Sequence, residues 1–452
     1  MGRVRLLGLV MVLLVSALGI SGASAATNTG DSFKNTWMRT DDPVARGSVS
    51  RTWMWGPNTN APLIQERYAE ATGGKRWVEY FDKSRMEIND SGQTGSIWAV
   101  TNGLLAEELV TGKMQLGDLT FEQHGPAQVN VAGDPDDPNG PTYASFTGLL
   151  GYAPNPAGWL IDQTVNRDGS VGSNGALKRY AVSYQDVGAP TKHTVASVFW
   201  SFMTSSGVVW DKNHDTVAPL FLNAFYATGY PITEPYWTTV KVGGVQKQVL
   251  VQVFERRVLT YTPDNPAGWR VEAGNVGQHY YRWRYNSDPL ADRGQIAGTD
   301  ITPATVSYYA FGGSTTDDID TQLQTMEPSK NTIWVTSWVY TWKSKQVKNA
   351  DGTCYITEPT VTYSIQFTDP LWEQPGDASP ELKARWTAFV PAMAAHQRAQ
   401  MDIIIANAHL VTDAVNGAAC SKGSTAASNA TKQVKQLLAD YDAQHDDVPD
   451  FP

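Results

Sequence analysis

His396-Gln397-Arg398-Ala399-Gln400 is the stretch of this sequence that comes nearest to a catalytic pattern. A zinc-binding helix built for hydrolysis reads His-Glu-x-x-His. Two imidazoles at i and i+4 share one face and take the metal, and the Glu beside the first accepts a proton from metal-bound water. Here the first His stands at 396, Gln397 holds the base position and Gln400 the second ligand position. An amide cannot accept the proton that a carboxylate takes, a role worth ~10²–10⁴ in rate. Its oxygen is also a poor substitute for imidazole on zinc. The stretch reads as a metal-binding frame without its chemistry, and His396 reads as a core-facing or surface histidine before it reads as a ligand.

The frame depends on the helix that carries it. Ser379 to Val415 has the pattern of one long amphipathic helix: Trp386, Phe389, Val390, Met393, Gln397 and Ile404 recur at helical spacing and form one stripe. Ser379-Pro380 followed by Glu381 is a start signal and Gly417 a stop. Pro391 predicts a kink, or a break into two helices. Around this helix, Ser307–Phe311 reads as a strand and Thr316–Met326 as a short helix. A strand-like run from Thr332 to Trp342 sets Trp334, Trp338 and Trp342 on one side. Thr360–Thr368 is its expected partner, and a further helix is expected over Ala426–Tyr441. Residues 304–452 therefore predict an α+β domain with a short antiparallel sheet and a long helix.

The order of features in this third of the chain, about Ile301 to Val448, resembles a family of predicted secreted zinc-dependent proteases, a bacterial domain of unknown function. The matching features are the tyrosine-bearing opening strand, Thr336 with Trp338 and Trp342, Cys354 before the partner strand, and Pro370-Leu371-Trp372. Trp386 ten residues before His396, Cys420 and Tyr441-Asp442 complete the series. The resemblance implies a zincin-like domain whose metal set is His-Glu-x-x-His plus a His shortly after the Tyr-Asp. Carried across, the set becomes His396 and Gln400, with the third position near Asp447 and His445 two residues away. His396, His445 and Asp447 meet on a metal only if the C-terminal tail folds over the helix.

At 452 residues the chain has room for several domains, and its composition, 41% hydrophobic and 18% charged, is that of a globular protein. A net charge of −10 without basic clusters argues against a nucleic-acid partner. Arg3 and Arg5, the apolar run Leu6–Ile20 and the small-residue site Ala23-Ser24-Ala25 read as a signal peptide over 1–25. After its removal no segment is expected to cross a membrane, so the chain is expected to be secreted, or held at the cell surface. In that compartment the two cysteines, Cys354 and Cys420, are expected to form a disulfide. Closing a loop of about 66 residues would stabilise the fold by roughly 4 kcal/mol.

The rest of the chain carries an internal duplication. Gly73-Gly74, Phe81-Asp82-Lys83 and the run from Trp98 to Gly103 are echoed by Gly243-Gly244, Phe254-Glu255-Arg256 and the run from Trp269 to Gly274. Upstream stand Trp53-Met54-Trp55-Gly56-Pro57 and Gly229-Tyr230-Pro231-Ile232-Thr233-Glu234. The second copy resembles an uncharacterised repeat of secreted Chloroflexi-type proteins, which implies an extracellular module. The expected organisation is multidomain α+β: β-rich modules over 26–150 and 151–285, a linker over 286–303, and the domain at 304–452. Asp134, Asp136, Asp137 and Asn139 crowd hard oxygen donors into one turn, the ligand type that calcium takes, but without regular spacing or a terminal Glu. An acidic, proline-rigid loop is the simpler reading.

These readings converge on a secreted, non-catalytic binding or scaffold protein with an inactivated protease-like domain. It would use no cofactor, and its partner would be an extracellular protein or a cell-wall glycan. The alternative is an active metal-dependent peptidase with unusual ligands, which would require zinc.

Overall fold

The structure, a computed structural model, describes residues 20–88, 96–286, 304–326, 328, 333–445 and 448–452. Most of the expected leader (1–19) and all but Asn286 of the expected linker lie outside the described residues. The chain divides into two units, Asn28–Arg293 and Gly294–Pro452, the latter taken together with Met1–Thr27. Both strands and helices build it, in several sheets, so the fold is α+β. Among the described residues no helix is long and apolar enough to cross a membrane.

The helix α1 (Ile20–Thr40) runs into the N-terminal unit. Four antiparallel strands follow in sequential order: β1 (Leu63–Arg67), β2 (Lys75–Tyr80), β3 (Arg85–Ile88) and β4 (Thr101–Asn102), and then helix α2 (Leu105–Thr111). A second, six-stranded sheet contains β5 (Gln163–Val165), β6 (Val171–Ser173), β7 (Tyr236–Val242), β8 (Val245–Val253), β9 (Val258–Tyr261) and β10 (Val271–Ala273). Its spatial order is β10-β9-β8-β7-β5-β6. Trp237, Leu250 and Leu259 from this sheet pack with Phe254, Phe199 and Met203 into one core. Helix α3 (Val276–Tyr285) closes the unit.

The hairpins β2–β3 and β8–β9 turn through chemically parallel residues. Phe81 N–H donates to Ser84 O and Phe254 N–H to Arg257 O, each at 2.9 Å. Lys83 N–H reaches Trp55 O, and Arg256 N–H reaches Thr228 O, again at 2.9 Å. Gly56 lies against the Asp82 side chain, where a Cβ would be crowded, and Gly229 against that of Glu255, where a Cβ would collide. Both glycines have positive φ, where L side chains are strained. Each turn also holds the first turn of the helix from the other hairpin. Asp82 O accepts from Gly277 N–H at the start of α3, and Glu255 O accepts from Glu107 N–H in α2.

Strand alternation in the first sheet sends charged side chains inward. Glu66, Arg76, Tyr80 and Arg85 are all buried, because residues two apart on a strand share a face and Glu66 lies opposite Arg76 in register, as Tyr80 does Arg85. Glu66 Oε2 lies 3.0 Å from Arg85 Nη1, 3.2 Å from Arg284 Nη1 and 3.7 Å from Arg76 Nη2. The hydroxyls of Tyr80 and Tyr285 donate to its other oxygen. Arg76 and Arg85 also meet the buried Glu87. Burial by itself would raise the Glu66 carboxyl, but Arg284, Arg85 and Arg76, with the Tyr80 hydrogen bond, hold it at about 2.

In the C-terminal unit β11 (Thr305–Phe311) leads through α4 (Thr316–Met326) to the long pair β12 (Val335–Lys348) and β13 (Cys354–Trp372). The β12–β13 pair is antiparallel, and β11 runs parallel to the far end of β13, Thr305 opposite Gln366 and Phe311 opposite Trp372. Helix α5 (Pro380–Ala406) starts where Ser379 Oγ accepts from Leu382 N–H, 3.1 Å. Of the kink or break expected at Pro391, the break does not occur, and one helix runs through it. The stripe of Trp386, Phe389, Val390 and Met393 is buried against Phe311, Trp372 and Phe451, and this packing on both sides of the proline outweighs the ~3 kcal/mol that an interior proline costs. The break comes instead at Asn407, before α6 (His409–Val415), and α7 (Gly423–Gln444) follows. The expected disulfide joins Cys354 at the head of β13 to Cys420 between α6 and α7, with Cα atoms 5.4 Å apart.

Glu66→Gln leaves three buried guanidinium groups short of one carboxylate, and should lower unfolding stability by about 3–5 kcal/mol in urea titration at pH 7. Its folded carboxyl lies below the unfolded value of roughly 4.3, so the stabilisation is complete above that value and lost as pH falls through about 2. The native chain should therefore lose stability more steeply than the variant between pH 5 and pH 2. Equal slopes, or an unchanged midpoint at pH 7, would contradict this account.

Candidate functional site

The three chemistry-bearing positions of α5 are all buried, and each is held by a protein partner. His396 and Gln400, one turn apart, share a face turned to α7. There Asp442 Oδ1 accepts from both, from His396 Nε2 at 3.0 Å and from Gln400 Nε2 at 2.7 Å. Gln400 Oε1 accepts in turn from Thr336 Oγ1 on β12, 2.6 Å away. Gln397 points to the sheet, where its amide donates to Asp369 Oδ1 at 2.6 Å. The base position of the zinc pattern is thus tied down in the core, away from Asp442.

Gln400 and Asp442 form part of the wall of a cleft of about 470 Å³. The wall continues through Trp334, Thr336, Trp338 and Leu438. The aromatic spacing seen in the sequence has a direct outcome. Trp334 lies edge-on to His396 with ring centroids 5.2 Å apart, Trp338 lines the cleft, and Trp342 packs in the core with Ile356, Ile365 and Phe367. The Asp442 side chain is 48% exposed and can meet a ligand, whereas His396 is 5% exposed.

Of the remaining positions from the metal pattern, His445 is not brought to this point. His445 is exposed and stacks on Tyr441 at 4.2 Å, while the same tyrosine ring lies 4.9 Å from His396. Asp447 lies outside the described residues. A catalytic zinc takes three protein ligands drawn from imidazole, thiolate and carboxylate. Among the described residues this face offers one imidazole, one carboxylate and one neutral amide, and the imidazole Nε2 that would take the metal is hydrogen-bonded to the carboxylate. These residues do not fit zinc. Among the described residues no group of three or more His, Cys, Asp or Glu side chains is placed to hold a metal ion.

In the acidic turn of the N-terminal unit, the oxygens point at backbone donors. Asp134 accepts from Gly243 and Gly244 N–H at 2.8 and 2.7 Å, and those hydrogen bonds keep its carboxyl below the usual range. Asp137 accepts from Lys241 N–H at 2.7 Å and Asn139 N–H at 3.0 Å, and Asp136 pairs with Lys241 Nζ at 3.1 Å. The turn clasps the β7–β8 hairpin.

Two carboxylates that matter here were not picked out as site residues by sequence reasoning. Asp442 was visible as half of Tyr441-Asp442, yet its helical position opposite His396 and Gln400 had no local signal. Asp369 had none at all: it lies on β13 opposite Tyr308, 28 residues before Gln397. It is fully buried, and that burial pushes its carboxyl up to about 7 against the opposing Gln397 hydrogen bond.

Residues 306–448 match a family described as a bacterial protein of unknown function (DUF922). The C-terminal part of the chain is thus similar to a domain-of-unknown-function family over the region that contains the sheet, α5 and the cleft. No curated protein and no solved structure matched the chain.

Asp369 makes a further property measurable. Its folded value of about 7 lies above the unfolded value of roughly 3.9, so the fold binds an extra proton between them. Stability must fall as pH rises across that window, and the full penalty applies above pH 7. Asp369→Asn keeps the acceptor for Gln397 and removes the titration. It should exceed the native chain in stability at pH 8, by on the order of 4 kcal/mol as an upper limit, and match it near pH 4. Urea melts at the two pH values check this, and an equal difference at both would rule it out.

Proposed function

We propose that this chain is an exported, non-catalytic binding protein whose C-terminal domain uses a protease-like frame as a recognition cleft. The observation that carries the reading is the double engagement of Asp442 by His396 and Gln400, together with the commitment of Gln397 to Asp369. The positions that would hold a metal and activate water instead cross-link α5 to α7 and to the sheet. What faces outward is a cleft with two tryptophans and a half-exposed carboxylate. Aromatic faces take the C–H faces of sugar rings while a carboxylate takes hydroxyls, so a cell-wall glycan suits it better than a protein. The leader reading, Arg3 to Ala25, supports export. The parallel turns at Phe81 and Phe254, each holding the other's helix, support tandem copies of one module as the extracellular scaffold.

Metal content and glycan affinity test the reading together. Purified chain and its His396→Ala variant should both lack stoichiometric zinc and should not cleave peptides. Soluble peptidoglycan fragments should bind the native chain, and Trp338→Ala should weaken that binding at least tenfold with the melting temperature retained. One zinc per chain, lost in His396→Ala along with peptidase activity, would establish the metal-dependent peptidase instead. Binding of an extracellular protein without glycan affinity would replace the glycan by a protein partner.

A further inference from the structure

The N-terminal unit contains a cavity of about 470 Å³ with no role in the reading above. Its size falls within the ~300–1,000 Å³ typical of small-ligand sites. Val100, Leu220, Phe221 and Ala227 make it largely apolar, and α1 covers it from Ser32 to Thr40, downstream of the expected leader. Two charged residues line it, Arg39 and Arg257, and no carboxylate does so among the described residues.

Arg257 is 1% exposed. Its guanidinium donates to Met54 O and, at 3.4 Å, to Asn102 Oδ1, and it lies over the Trp55 ring, 4.8 Å from the centroid. Its Nε has no hydrogen-bond partner, and no ion pair neutralises it among the described residues. The carboxylate that acts on it through space, Asp41, spends its oxygens on the N–H groups of Met54, Trp55 and Gly56 at 2.9, 2.7 and 3.0 Å. Burial brings Arg257 down to about 10, which leaves it charged at neutral pH. Thr40, also in the lining, has a buried hydroxyl with no partner. A buried cation with unspent donors is an unfavourable state that an anionic ligand relieves.

We propose that this cavity binds a single-chain fatty carboxylate, its hydrocarbon against the apolar wall and its head on Arg257. A planar carboxylate matches the guanidinium fork. The apolar wall selects a hydrocarbon tail over a sugar or a peptide. Arg39, whose Nη2 is anchored on Pro219 O at 2.8 Å, adds positive potential to the same lining.

Isothermal titration of the full chain tests this with dodecanoate, dodecanol and dodecyltrimethylammonium, each below its micellar concentration. Dodecanoate should saturate one site per chain and bind at least tenfold tighter than dodecanol, and the cationic probe should not bind. Arg257→Met should bring acid and alcohol to equal affinity. Ala227→Phe, which fills the cavity and keeps the cation, should abolish binding with the thermal melt retained. Absence of saturable dodecanoate binding, equal affinity for acid and alcohol, or unchanged binding in a folded Ala227→Phe variant would each overturn the proposal. The comparison of head groups on the unaltered chain decides against it even where a variant does not fold.

Discussion

A carboxylate sealed from water among three guanidinium groups is the constraint on which the N-terminal unit depends. Glu66 cannot be buried alone, since an uncompensated charge in the interior costs several kcal/mol. Each of its partners arrives from a different element: Arg76 from β2, Arg85 from β3, Arg284 from α3. The tyrosine hydroxyls come from β2 and α3. The network is satisfied only when all of these are docked at once, so it selects one arrangement of strand, turn and helix over looser apolar packings. Reciprocal turn-to-helix hydrogen bonds at Asp82 and Glu255 act in the same direction. They make each hairpin incomplete without the helix that follows the other.

The C-terminal domain is organised around a different commitment, that of α5 to its neighbours through polar side chains in an otherwise apolar seam. Apolar residues above and below, Trp386 to Met393 on one side and Met401 and Ile404 on the other, fix the helix against the sheet. Between them Gln397, His396 and Gln400 reach Asp369, Asp442 and Thr336. A glutamate at 397 would set a second carboxylate against Asp369, whose carboxyl is already raised by burial. Glutamine makes a neutral donor of that position. Glutamine at 397 therefore avoids a buried like-charge contact, and the helix gains cohesion with the sheet there.

Much of this domain could be read from local pattern. Ser379 caps α5 as its hydroxyl and the following Pro-Glu predict, and the short helix Thr316–Met326 has the expected ends. The stripe from Trp386 to Ile404 is buried, and Cys354 meets Cys420. These features depend on residues within a few positions of one another, or on two cysteines with no other partner. Pro391 does not break the helix because its propensity cost is local, whereas the packing that outweighs it comes from Phe311, Trp372 and Phe451. The cleft beside Gln400 was equally hidden, since Thr336 and Asp442 lie 64 and 42 residues from it in sequence.

The amino-acid order by itself determined the main element types of the C-terminal domain, the capped long helix, the pairing of the two cysteines and the amide at 397. Each of these rests on side-chain chemistry or short-range periodicity. Folding in three dimensions decided which way charged strand residues face and what the polar residues of α5 hold. Alternation places Glu66 and Arg76 on one face but does not say whether that face meets water. Their inward direction depends on Arg284, which lies more than two hundred residues away in the chain and a hydrogen-bond length away in space.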